Sequence, residues 1–192
     1  TYLKTEKGGV NLNYRVNNGT RGVWYTNEPT QSSSNYNRAT WDVSQVNSGY
    51  AGFHDERSYS WGHPYVIEVD HLTTSFSNGG ITYVYLDQYN GHSYFRSPGT
   101  NYNHDTAKAN TASTASATLL VVNDLKEWEW LNTTIRPKLS SWSNGNYWVG
   151  LQQNHGASNY SHPSGGWYWI DGDNGTLKTP LENSGYELST VT

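Results

Sequence analysis

Asn146-Tyr147-Trp148-Val149-Gly150-Leu151 is followed, across a polar loop, by Gly165-Gly166-Trp167-Tyr168-Trp169-Ile170-Asp171-Gly172. The two aromatic runs have the length of short strands. Trp148, Leu151, Trp167, Trp169 and Ile170 are large enough to fill a core. Gly150 inside the first run marks a point where a side chain would not fit. The reading of the whole chain is anchored here.

The composition suits such strands. The chain has 192 residues, enough for one or two domains. Apolar residues make up only 34 %, but nine Trp and sixteen Tyr can build a core with few aliphatics. Charged residues are 15 %, so Asn, Ser, Thr and Gly must supply the polar surface. That mixture favours many short strands and turns over long helices. The net charge is −4 and no basic run occurs, which argues against nucleic-acid binding. No apolar run approaches the roughly 20 residues of a membrane span. Cys is absent, so neither disulfides nor thiolate metal sites are available. Met is absent too, and a chain starting at Thr1 reads as a processed product or a piece of something longer.

Along the chain, Val10, Leu12, Tyr14 and Val16 alternate with polar residues, and Asn18-Gly19 leads into Gly22–Thr26 as a hairpin. Thr40–Val46 reads as a strand and Ser48–His63 as irregular. Pro64–Asp70 is a strand with Tyr65, Ile67 and Val69 on one face. Asn78-Gly79-Gly80 is a turn or short linker and the best candidate boundary, dividing 1–77 from 81–192. Ile81–Leu86 and His92–Arg96 pair through Asn90-Gly91. Residues 104–117, rich in Ala, Thr and Ser, form a first helix, with low-complexity linker as the alternative. Thr118–Val122 is a short buried strand. A second helix covers 124–136: Asn123 or Asp124 caps it, Asp124 with Glu127 resembles a capping box, and Leu125, Trp128, Leu131 and Ile135 form its apolar face. Pro137 should end or kink it. The expected class is α+β.

The opening stretch resembles the W-x-G-L … W-x-W-x-D-G signature of C-type-lectin-like domains. Asn90–Phe95 is similar to the family's opening strand, Ala117–Asn123 to the strand before its second helix, and Asp124–Ile135 to that helix. A Cys-free chain looks more like bacterial or viral members, since animal ones usually carry disulfides. The family's remaining motifs should follow Gly172 and are not found in 173–192. Similar pieces stand at the front instead. Asn27-Glu28-Pro29 resembles the Pro-containing loop, Trp41-Asp42 a degenerate Trp-Asn-Asp, and Pro64–Val69 the closing strand. The resemblance therefore implies a lectin-like fold with its back half first. The chain would be a permuted domain, one repeat of an array, or a subunit completed by a neighbouring copy. The plainer alternative is an unrelated β-sandwich followed by a truncated lectin-like domain. An open sheet edge invites strand donation, and a contact that does not close gives a polymer.

Calcium is the one ion the resemblance brings in, and no motif requires a cofactor. Glu28 and Asp42 are the matching metal-ligand candidates. Thr30 stands where the family has Asn, and Val43 where it has Asp. Both departures remove oxygen ligands from an ion that takes six to eight. Asp171–Gly175 fails EF-hand spacing and reads as turns. His54-Asp55-Glu56-Arg57 clusters ionisable groups, for which a solvated loop is the plainer account. No nucleophile elbow, phosphate loop or His-Glu-x-x-His motif occurs, so no enzyme is expected. Trp24, Tyr25, Tyr36, Tyr59 and Trp61 lie in or beside polar loops, where rings can stack on sugars or simply bury. Trp24, Tyr25 and Trp61 are the candidate ligand-binding set. Asn18, Asn132, Asn159 and Asn174 begin glycosylation sequons, relevant only where the source glycosylates. The resulting expectation is a non-enzymatic, extracellular or surface-displayed protein. It would serve adhesion or surface assembly and bind a glycan or another surface protein. A self-associating structural subunit is the rival reading.

Overall fold

The computed structural model describes residues 36–44, 52–57, 62–114, 116–123, 125–142, 145–156, 158, 160 and 167–170. They form an α+β arrangement of two antiparallel sheets and two helical rods. The strands are β1 (Tyr36–Asp42), β2 (Gly52–Arg57), β3 (Val66–Asp70), β4 (Phe76–Asn78), β5 (Ile81–Tyr89) and β6 (His92–Arg96). Helix α1 (His104–Ala112) follows, then β7 (Ala117–Leu119). The second rod is α2 (Leu125–Trp130), a π-helical turn (Leu131–Ile135) and α3 (Arg136–Ser140). Strands β8 (Asn146–Gln153) and β9 (Trp167–Trp169) complete the set.

One sheet has the order β2-β1-β8-β9 and the other β4-β5-β6-β3-β7. Strands from before and after Gly79-Gly80 stand together in both. Trp41 faces Tyr147 across β1–β8. Ile67 faces Phe95 on one side of β3 and Leu119 on the other.

The two aromatic runs are β8 and the start of β9, as expected. The register between β1 and β8 shifts between Arg38 and Thr40, so β8 bulges around Gly150. The bulge turns Gly150 away from β1. Its N–H donates to the Leu120 carbonyl at 2.8 Å, and its carbonyl accepts from Ile170 at 2.6 Å. A Cβ on Gly150 would stand 3.0 Å from the Leu119 carbonyl oxygen and 3.1 Å from that of Leu120. The sheets meet here and at a parallel bridge between Tyr65 and Trp148.

Both Asn-Gly turns among the described residues join neighbouring strands, and the hairpin expected over 10–26 lies outside them. Gly79 and Gly80 (φ +56° and +80°) join β4 to β5, and Asn90 and Gly91 (φ +50° and +91°) join β5 to β6. Two consecutive left-handed residues match the twist of antiparallel strands, which is why Gly and Asn occur here. Asn78-Gly79-Gly80 is thus a tight turn rather than a linker.

Four expectations need correction. The stretch 48–63 holds β2: its charged 54–57 run has poor strand propensity, but Phe53 packs under the sheet and each residue from Gly52 to Glu56 pairs with β1. β1 begins at Tyr36 and ends at Asp42, so it starts and stops four residues earlier than expected. α1 stops at Ala112, because Ser113 caps it and the chain turns at Ser116 (φ +59°) into β7. The second rod passes Pro137 and ends at Ser140. Proline lacks an N–H, and the turn before it widens: the Arg136 N–H bonds the Leu131 carbonyl, five residues back. The Asn132 carbonyl then accepts from the Arg136 side chain at 3.2 Å. β3 is also buried on both faces, since Val66 and Glu68 are as enclosed as Ile67 and Val69.

Two aromatic-rich cores result. One lies between the four-stranded sheet and the second rod, with Trp41, Phe53, Trp128, Leu131, Tyr147 and Trp169. The other lies beneath α1, with Tyr65, Ile67, Tyr83, Phe95, Ala107 and Trp148. Each buried aromatic removes about 150–250 Å² from water, a gross gain of roughly 4–6 kcal/mol before entropy. That is how a chain poor in aliphatics closes a core.

Candidate functional site

The antiparallel register gives the four-stranded sheet two distinct ends. Asp42, Gly52 and Asn146 lie at one; Tyr36, Arg57, Gln153 and Trp167 lie at the other. Both carry residues singled out in the sequence.

Asp42 closes β1 and is 6 % exposed. Its Oδ1 accepts from the Ser44 N–H at 2.8 Å and the Ser44 hydroxyl at 2.6 Å. Its Oδ2 stands 3.5 Å from His54 Nε2. Burial alone would raise this carboxyl, but the His54 contact and the two Ser44 bonds outweigh it and hold it below the usual range. Both oxygens are therefore engaged by protein groups. The Ser hydroxyl donates to the carboxylate and not to the imidazole, so this Asp-Ser-His grouping lacks the base–nucleophile contact of a triad. Among the described residues, no group of three or more His, Asp or Glu is placed to hold a metal ion.

At the opposite end, the Arg57 guanidinium lies 4.8 Å over the Tyr36 ring. Arg38 NH2 approaches Asp105 on α1 at 3.6 Å. His155 packs against Tyr160 with centroids 4.7 Å apart. Of the His54–Arg57 run, Asp55 lies on the core-facing side and is buried.

A third feature is on the second rod. Trp142, just beyond α3, is 36 % exposed, the one exposed large hydrophobic among the described residues. Arg96 of β6 covers one face of its ring at 3.8 Å. Lys138, one turn earlier, bonds Asp87 at 2.6 Å and the Leu86 carbonyl at 2.7 Å. Sequence reasoning did not find this grouping, because its members come from three distant elements and share no spacing.

Trp24, Tyr25, Glu28, Trp61, Asn18, Asn159 and Asn174 lie outside the described residues. Asn132 sits in the π-helical turn, and its Nδ2, the atom a glycan would occupy, donates to the Trp128 carbonyl at 2.9 Å. The signature residues Trp148, Leu151, Trp167 and Trp169 are all buried. Among the described residues, no helix is long and apolar enough to cross a membrane.

No family model, curated protein or solved structure matches the chain.

Proposed function

We propose that this chain is a non-enzymatic, extracellular C-type-lectin-like protein used in adhesion or surface assembly, with a glycan as its ligand. One observation carries the reading. Pieces that resemble the family's motifs in permuted order are neighbours in space. The W-x-G-L strand β8 lies between β1, which holds Trp41-Asp42, and the W-x-W strand β9. β3, similar to the closing strand, pairs with β6, similar to the opening one. The order of the pieces along the chain is then that of a permuted domain whose halves meet within one chain.

Asp42 is already engaged by Ser44 and approached by His54, so the recognition proposed is independent of calcium and uses aromatic rings. Tyr36, beside Arg57 at the end of the sheet, is one such ring, and Trp24, Tyr25 and Trp61 are the proposed others. The test is a glycan array probed with the whole chain, with and without a calcium chelator. Binding that survives chelation and is lost in Tyr36→Ala or Trp61→Ala supports the reading. No binding to any glycan, with sedimentation showing concentration-dependent polymers, would favour the structural-subunit reading. Binding abolished by chelation and by Asp42→Asn would replace the ring-based site by a calcium site.

A further inference from the structure

Two carboxyl groups are buried at the seam between the sheets. Glu68 on β3 is 5 % exposed and Glu127 on α2 is 2 % exposed. They hold the same piece of chain, the 120–123 connection between β7 and α2. Glu68 Oε1 accepts from the Val121 N–H at 2.5 Å. Glu127 Oε2 accepts from the Asn123 N–H at 2.6 Å, and its Oε1 accepts from the Tyr94 hydroxyl. Tyr94 is fully buried on β6, directly opposite Glu68 in the β3–β6 register, and so links the two acids.

The connection they grip also ties the sheets together. The Leu120 N–H donates to the Val66 carbonyl at 2.9 Å, and the Leu120 carbonyl accepts from Gly150 at 2.8 Å. The other titratable groups facing this site among the described residues are Asp70 on β3, Tyr89 on β5 and Tyr94 on β6. All become negative on ionisation.

We propose that Glu68 and Glu127 hold one proton between them and act as a proton-loaded latch on the 120–123 connection, so that loss of the proton loosens the seam between the two sheets. Two carboxylates enclosed together cannot both stay charged cheaply. Burial, and then the neighbouring Glu127, push Glu68 well above the usual carboxylate range. Both causes favour the neutral form of Glu68. Glu127 accepts from two donors, Tyr94 and Asn123, and such bonds favour the charged form of a carboxyl. A group whose folded pKa is raised contributes stability that is complete below its unfolded value and is lost as pH rises through the folded one. The latch is thus closed in acid and strained on the alkaline side.

The test uses the full chain as wild type, Glu68→Gln and Glu127→Gln, unfolded at a series of pH values from about 5 to about 9. Glutamine at 68 keeps the acceptor for Val121 and mimics the neutral acid. Wild-type stability should fall as pH rises, with the unfolding constant growing by up to about tenfold per pH unit relative to Glu68→Gln. The Val121 amide should lose its exchange protection over the same window. Glu68→Gln should lack this alkaline-side fall and be at least as stable as wild type at neutral pH. Glu127→Gln should be weaker at every pH, because a neutral amide is a poorer acceptor for Tyr94. If Glu68→Gln keeps the wild-type slope, the proposal is wrong. Should that variant not fold, infrared spectroscopy of the wild type decides. A protonated-carboxyl band at neutral pH that vanishes in alkali upholds the latch, and its absence overturns it.

Discussion

Gly150→Ala is the perturbation that tests most of the fold at once. In an ordinary strand position the change would be mildly stabilising, by about 0.4–1 kcal/mol, because alanine restricts the unfolded chain. Here the added methyl meets the Leu119 and Leu120 carbonyl oxygens at 3.0 and 3.1 Å, and Leu119 Cβ at 3.4 Å. The two closest atoms are backbone and cannot swing aside as a flexible side chain would. The Leu120 carbonyl must retreat by a few tenths of an ångström, yet it is the acceptor of Gly150's own N–H. Its retreat also drags the Leu120 N–H from Val66. Overpacking of this kind costs about 1–3 kcal/mol and exceeds the entropic gain. We expect a net loss of about 2 kcal/mol, a Tm drop of roughly 4–8 °C for a chain of this size. Differential scanning calorimetry measures it, with Gly150→Val expected to fall further. Amide exchange should locate the damage at Leu120 and Ile170, the backbone partners of residue 150. A Gly150→Ala variant as stable as wild type, or more so, would mean that β8 does not press on the 119–120 backbone, and the account of the seam would fail.

Other outcomes follow from single contacts. Burial depresses His63 to about 4, so its stabilising contribution is present above its ordinary value near 6.5 and lost as pH falls from there to about 4; His63→Asn should flatten the acid limb of a Tm-against-pH curve. Asn103 caps α1 by accepting the Thr106 N–H at 2.8 Å, and Asn103→Ala should cost about 1 kcal/mol in chemical denaturation, an effect that Asn103→Asp avoids. Trp142→Ala removes the ring under Arg96 at an exposed position, so the loss should be only about 0.5–1 kcal/mol, with a near-wild-type denaturant slope. A loss above about 3 kcal/mol would place Trp142 in the core. Tyr147→Phe deletes the hydroxyl that bonds the Leu139 carbonyl at 3.1 Å and should cost about 1 kcal/mol, leaving that buried oxygen short of a donor.

Local signals were legible in the sequence because they are local physics. Asn90-Gly91 and Gly79-Gly80 make hairpins because consecutive left-handed residues select for Asn and Gly. Trp128, Leu131 and Ile135 showed their helical face through spacing alone, and Leu139 extends it beyond Pro137. Glu127 does reach back to the helix start, where it accepts from Asn123, one of the two cap candidates. β2 was missed because its residues are charged and polar, and only pairing with β1 makes them a strand. The contact of Trp142 with Arg96 joins residues 46 apart in sequence, and no periodicity encodes such a pair. Glu68 and Glu127 looked like ordinary strand and helix acids, since nothing in their neighbours along the chain marks burial.

By itself the sequence determined the α+β class, the Asn90-Gly91 hairpin, the two helical rods and the anchoring of the fold in the aromatic pair at 146–151 and 165–172. Those features depend on propensity, on turn geometry and on the periods of 2 and 3.6 that a chain carries along its own length. Only the tertiary structure decided that strands from either side of Gly79-Gly80 share both sheets, that Asp42 is engaged by Ser44 and approached by His54, and that two acids from β3 and α2 meet at one connection. Each of these is a relation between segments distant in sequence. It is set by which faces can be buried together, and that is a property of the packed chain.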